Sequence, residues 1–140
     1  MIEETEIKLA ALLRVDEDIP YIEKPWGYER IFAQTDKYVG KFLFIAGGHR
    51  LSRQYHEEKD ETITVLSGPL TLEVGPIGDD QTITSITLLV GEAFHIAPGL
   101  IHRFCAPEGV DVELIEVSTP QLDDIIRLED DYKRIPDITA

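Results

Sequence analysis

An all-β barrel or sandwich is the fold class this sequence predicts, and three observations carry that expectation. From residue 27 onward, short apolar or alternating runs are separated by clusters of Gly, Pro and Asp. Val, Ile, Thr, Tyr and Phe dominate those runs, as residues suited to a pleated, half-buried surface do. With 140 residues and 43% apolar side chains, the chain has the size and composition of one globular domain. A chain of that size can bury a core without disulfides.

The elements follow in order. Residues 2–14 set Ile2, Leu9, Leu12 and Leu13 among charges and good helix formers, which predicts a short amphipathic helix. Asp16-Glu17-Asp18 interrupts it and Pro20 stops it, so residues 1–20 read as an arm. Strands are predicted near 27–33, 38–46, 51–56, 61–66, 69–74, 82–89, 93–96, 101–105 and 111–117. The breaks between them are turn-forming stretches such as Ala46-Gly47-Gly48, Ser67-Gly68-Pro69, Gly91-Glu92 and Pro98-Gly99. With no internal repeat and no linker, residues 21–119 read as one barrel. After Pro120, Asp123-Asp124 can cap a helix through Ile125, Ile126 and Leu128 that ends near Tyr132 or Pro136. Residues 120–140 are then expected as a helical tail packed on the barrel.

Charge narrows the function classes. There are 27 acidic against 13 basic side chains, a net −14. Nucleic acid and anionic membranes are bound through clustered Lys and Arg, so neither is an expected partner. A small anion remains compatible, because the field inside a cleft can oppose the net sign. No apolar run reaches the length of a membrane span. The lone cysteine, Cys105, and an acidic start without a signal core fit a reducing compartment, so a cytoplasmic location is expected.

The chemistry concentrates at two places. In Gln54-Tyr55-His56, strand alternation turns Gln54 and His56 to one face and Tyr55 to the other. The next four residues, Glu57–Asp60, suit a hairpin turn. Glu61 then opens a strand on the same face as Ile63 and Val65, which puts a carboxylate on a core face. Burying it uncompensated costs several kcal/mol, and a metal ion is one compensating partner. Downstream, His102 follows the Pro98-Gly99 turn and shares a face with Phe104, while Arg103 faces away. Two imidazoles, a carboxylate and an amide oxygen suit one divalent ion, whether zinc, manganese, iron or nickel. Four ligands on one inner wall leave coordination positions open, the mark of a catalytic site. The plainer alternative pairs Glu61 with Arg50 or Arg53 and leaves the histidines as ordinary core or surface groups.

These residues resemble a known family. Gln54-x-His56, four residues, Glu61, six residues and Gly68 resemble the first cupin motif, with Gln at its usual first His. Gly91 through Pro98 to His102 resembles the second, although the closing Asn is absent at Ala106. The resemblance implies a single-domain cupin, a double-stranded β-helix or jelly-roll barrel. Lys24-Pro25-Trp26-Gly27-Tyr28-Glu29, Leu51–His56, Ile96–Arg103, Leu114–Val117 and Asp123–Arg134 then occur in order. That series is similar to the cupin domain of type II mannose-6-phosphate isomerases, which also ends bifunctional mannose-1-phosphate guanylyltransferases. In that family Gln, His, Glu and His hold a metal, usually zinc, and Gln54, His56, Glu61 and His102 match the set. The sequence departs from the pattern at Arg53, where Leu is common, and at Lys133, where Gly is usual. The stretch between Glu116 and Asp123 is also shortened and the loop at Gly75–Gln81 lengthened. These departures bear on the substrate more than on the fold or the metal.

Three further residues are candidates for contact with a substrate. Arg50 has the parity of Gln54 and His56 and is expected to line the cavity mouth, where a guanidinium suits a phosphate. Lys41, at a strand position where the family carries Lys, is the candidate catalytic group. Arg127 matches the Arg of the family's Asp-Asp-Ile-Val-Arg run. Trp26 is expected to pack beneath its Pro-Trp-Gly bend. The resemblance implies aldose–ketose isomerisation of a sugar phosphate, with mannose 6-phosphate and fructose 6-phosphate as the pair. The alternatives are a non-catalytic module for carbohydrate or nucleotide sugar, and an Fe(II) oxygenase built on His56, Glu61 and His102. By analogy with other cupins, a homodimer is the expected assembly.

Overall fold

The computed structural model describes residues 8–76 and 82–135. Eleven strands are defined within them: β1 Tyr21–Lys24, β2 Gly27–Gln34, β3 Val39–Ile45, β4 Arg53–Tyr55, β5 Glu61–Ser67, β6 Leu70–Gly75, β7 Thr84–Leu88, β8 Ala93–Ile96, β9 Ile101–Cys105, β10 Val112–Ser118 and β11 Ile126–Glu129. They form two antiparallel sheets, one of six strands in the order β1-β2-β3-β10-β5-β8 and one of five in the order β11-β4-β9-β6-β7. The sheets face each other as a jelly roll. Leu43, Ile45, Ile63, Val65, Ile96, Val112 and Leu114 from one meet Leu70, Leu72, Leu88 and Phe104 from the other. Each set follows the two-residue alternation of its strand, as in β10, where Val112, Leu114, Glu116 and Ser118 are buried.

Strand β1 is absent from the sequence expectation, because Tyr21-Ile22-Glu23-Lys24 carries two charges in four residues. It folds back on β2 in full register, Tyr21 opposite Arg30 and Lys24 opposite Gly27. Trp26, in the turn, is 3% exposed and joins the core, as expected. Gly27 allows the turn. Its φ is +152°, and a Cβ there would stand 1.9 Å from the Phe44 carbonyl oxygen.

Three expectations are corrected. Of the arm, residues 8–12 are helical, but Arg14 is not and Asp16–Asp18 form a 3-10 turn. The start of the expected helix lies outside the described residues. The segment Glu57–Asp60 is not a hairpin turn, because β4 and β5 belong to different sheets and it carries the chain across. The described part of the tail, to residue 135, is not helical: Ile126–Glu129 is β11, paired antiparallel with β4. Asp124 does cap backbone amides, but those of Glu57, Glu58 and Lys59 across the molecule, at 2.7–3.0 Å. A helix-cap residue and a loop-anchoring residue present the same carboxylate acceptor, so the sequence signal was the same.

Candidate metal centre

Strand pairing sets the inward row. Gln54 on β4 is opposite both His102 on β9 and Arg127 on β11, so the three stand side by side across the five-stranded sheet. Glu61, the first residue of β5, faces them from the other sheet, and His56 sits just past β4. His56, Glu61 and His102 are 3%, 2% and 1% exposed. One ligand atom from each lies within 4.8 Å of the other two, a group able to hold a metal ion. His56 Nε2 and His102 Nε2 are 3.4 and 3.2 Å from Glu61 Oε1.

The donor set fits an ion on grounds internal to this structure. His56 Nδ1 is 2.5 Å from the Asp124 carbonyl oxygen, and His102 Nδ1 is 3.0 Å from that of Leu100. Each carbonyl can only accept, so each ring donates Nδ1–H and a neutral ring turns its Nε2 lone pair inward. Two imidazole lone pairs and a carboxylate oxygen then converge, an arrangement that a cation between them would satisfy. His56 Nε2 and both Glu61 oxygens are buried without a hydrogen-bond partner. Gln54 Oε1 accepts from Ser52 Oγ at 2.7 Å, and Gln54 Nε2 is 3.5 Å from His102 Nε2. Rotating the amide by half a turn would give the ion an oxygen and leave Ser52 an N–H neighbour.

Around this group lies a belt of buried charge. Lys59 Nζ is 3.0 Å from Glu61 Oε2 and 3.3 Å from Glu116 Oε2. Lys41 Nζ is 3.4 Å from Glu29 Oε2. The Lys59 ammonium beside it favours the ionised form of the buried Glu61 carboxylate. Burial, then the neighbouring Glu61 charge, push Glu116 up to about 7. The belt opens on a cavity of about 460 Å³ whose lining includes Trp26, Lys41, Gln54, His56, Lys59, Glu116, Arg127 and Arg134.

Among the candidates from sequence, Gln54, His56, Glu61 and His102 are brought together, and Lys41 and Arg127 share their cavity. Arg50 does not. Its Nε donates to Asp131 at 2.7 Å, in a network with Glu73 and Glu129 away from the cavity. Strand parity fails for Arg50 because regular pairing on β4 begins at Arg53; Leu51 and Ser52 are both buried, so alternation slips by one residue. Arg53 and Arg103 do lie on the outer side of the sheet. The tail covers them there, and Arg103 is 0% exposed. Lys59, Glu29, Glu116 and Arg134 are site residues that the sequence reading did not single out. Glu29 alternates with Ile31, and Glu116 with Leu114, so the parity that exposed Glu61 also marks them.

Comparisons with known proteins agree with this geometry. The model of the mannose-6-phosphate isomerase C-terminal family matches residues 16–130. The chain is 32% identical over 128 residues to a mannose-1-phosphate guanylyltransferase of Sinorhizobium fredii, covering 89% of this chain and 24% of that protein. It is 30% identical over 116 residues to the alginate biosynthesis protein AlgA of Pseudomonas aeruginosa, covering 81% of this chain and 23% of that one. It thus spans about a quarter of the length of these relatives. A solved structure of CapF, a capsular polysaccharide assembling protein of Staphylococcus aureus, superposes with a TM-score of 0.70 at 20% identity, over 86% of this chain and 34% of that one. That likeness is one of fold. With a jelly roll of two antiparallel sheets, a His-Glu-His group inside it and a family match over most of its length, the chain belongs to the cupin family of mannose-6-phosphate isomerase C-terminal domains.

Proposed function

We propose that this domain is a metal-dependent sugar-phosphate isomerase that interconverts mannose 6-phosphate and fructose 6-phosphate. The observation that carries the reading is the convergence of His56 Nε2, Glu61 Oε1 and His102 Nε2 beside a cavity lined by both basic and acidic side chains. A volume of about 460 Å³ accommodates a hexose phosphate. Gln54, His56, Glu61 and His102 would hold the ion, with zinc the first choice. Once bound, it would supply Lewis-acid polarisation at C1 and C2 of the sugar.

The remaining work falls to the chain itself. Lys41 lines the cavity in an ion pair with Glu29, which places its ammonium to donate a hydrogen bond to an oxygen that gains negative charge. Glu116 lines the cavity beside Lys59 and is a carboxylate outside the ligand set, so it is the group we assign to carry the proton between C1 and C2. Trp26, Leu43, Leu51 and Ile125 give the cavity an apolar wall that excludes water.

The test is proton exchange. Zinc-loaded protein incubated with mannose 6-phosphate in D2O should form fructose 6-phosphate and introduce solvent deuterium into the C1/C2 region. Glu116→Gln should cut turnover by about 10²–10⁴-fold at unchanged zinc content. If no aldose or ketose phosphate in a panel turns over or exchanges, the isomerase reading is wrong.

A second reading is a binding module for sugar phosphate or nucleotide sugar. It is favoured by the shortened stretch between Glu116 and Asp123, whose ends line the cavity. Calorimetric binding without exchange would support it. Oxygen uptake dependent on Fe(II) would point instead to the oxygenase alternative.

A further inference from the structure

Two arginines at the cavity differ in a way that points to a ligand. Arg50, Arg53 and Arg103 each reach at least one carboxylate within 4.0 Å on the outer side of the five-stranded sheet. Arg134 is held by Asp130, whose Oδ2 accepts from Nε at 2.8 Å and whose Oδ1 accepts from Nη2 at 3.1 Å. That arrangement fixes the guanidinium and leaves Nη1 free. Arg127 is different. Among the described residues its side chain has no ion pair, while its Nε, like that of Arg53, is buried without a hydrogen-bond partner. Burial, then the adjacent Arg134 charge, push the Arg127 guanidinium below its usual range, and the Asp130 charge only partly opposes them. A chain of net charge −14 thus leaves an arginine unpaired beside a second one, in the wall of its main cavity. Desolvating a cation next to another cation is unfavourable unless an anion joins them.

We propose that Arg127 and Arg134 form an oxyanion subsite that binds the phosphate of a phosphate monoester. Register supports it. Arg127, Gln54 and His102 occupy three adjacent strands in one row. With strands ~4.8 Å apart, the Arg127 backbone lies ~10 Å from that of His102. A hexose phosphate bridges such a gap, with its C1/C2 end at the ligand group and its phosphate between the guanidiniums. Arg127 can then offer Nε and an Nη together, the paired geometry that matches a phosphate. Asp123 also lines the cavity, but its carboxylate is exposed to solvent, and Asp130 is already committed to Arg134. The proposal deepens the isomerase reading, although phosphate binding itself requires no turnover.

The test uses the full chain, as purified and after chelation, so that binding of phosphate to an ion can be separated from binding to the arginines. The probes are inorganic phosphate, mannose 6-phosphate and mannose, followed by calorimetry and ³¹P NMR. Both phosphates should bind the chelated protein and mannose should not. Arg127→Gln should weaken phosphate binding about tenfold or more, and Arg127→Lys less, with the thermal midpoint unchanged. Arg134→Gln should weaken it too. Because that change also frees Asp130, its thermal midpoint is read alongside, and Arg127→Gln remains the deciding variant. Undiminished phosphate binding by folded Arg127→Gln, or none by the wild type, overturns the subsite. Intact phosphate binding without deuterium exchange overturns the isomerase reading and leaves the subsite standing.

Discussion

At the scale of single residues, the site is an arrangement of lone pairs. The Asp124 and Leu100 carbonyls fix which nitrogen of each imidazole faces inward, and Glu61 turns Oε1 to those rings while its Oε2 meets Lys59. Removing one donor should therefore empty the site rather than loosen it. His56→Ala should lower metal affinity by at least the ~100-fold that loss of an outer partner reaches, read by elemental analysis of the purified protein. Lys133 supplies a second prediction. It is exposed and sits at φ 59°, in the left-handed region, where the family usually carries Gly. Lys133→Gly should stabilise the fold by up to ~1 kcal/mol, measured as a raised urea midpoint, because relief of steric strain outweighs the added freedom of the unfolded chain. Much of this scale was legible beforehand. Parity turned Gln54, His56, Glu61 and His102 to the interior, but not onto one wall, because β5 belongs to the other sheet and Glu61 faces the rest across the barrel. The same logic, applied to Glu29 and Glu116, would have found two more. Lys59 was not legible, because a lysine in a polar loop carries no sign that the loop folds inward onto two carboxylates.

At the scale of elements, the strands with regular alternation were readable and the two short outer ones were not. β1 and β11 have four residues each and take their stability from β2 and β4 rather than from an apolar pattern of their own. Tail residues that suggested a helix cap and an apolar helix face instead supply an anchor for the loop before Glu61 and a partner for Gln54. The β1–β2 turn gives the sharpest test. At Gly27 any side chain meets the Phe44 carbonyl, and a backbone atom cannot swing aside as a side-chain tip can. Gly27→Ala should cost ~2 kcal/mol or more in chemical denaturation, with loss of Trp26 burial visible in its fluorescence.

At the scale of the whole molecule, two sheets seal a hydrocarbon core at one end and enclose charge at the other. The cavity opens where Glu29, Lys41, Lys59, Glu61 and Glu116 replace the aliphatic side chains of the core. No helix among the described residues is long and apolar enough to cross a membrane. The segment that leads into β11, the last strand among the described residues, also reaches this charged end. Asp124 holds the ring of His56 by its carbonyl and the crossing segment by its carboxylate, so seating the last strand and presenting an imidazole are one event. Linkage then runs both ways: an ion at a hundred times its dissociation constant adds ~2.7 kcal/mol to whatever must be docked to receive it. Residues 119–129 should accordingly resist limited proteolysis in zinc-loaded protein and be cut first after chelation, with mass spectrometry locating the nick; an identical cleavage pattern in both forms would uncouple tail from ring. For a site that fills with an ion, a protease thus becomes a sensor of metal status, and the tail is the first segment to report its loss.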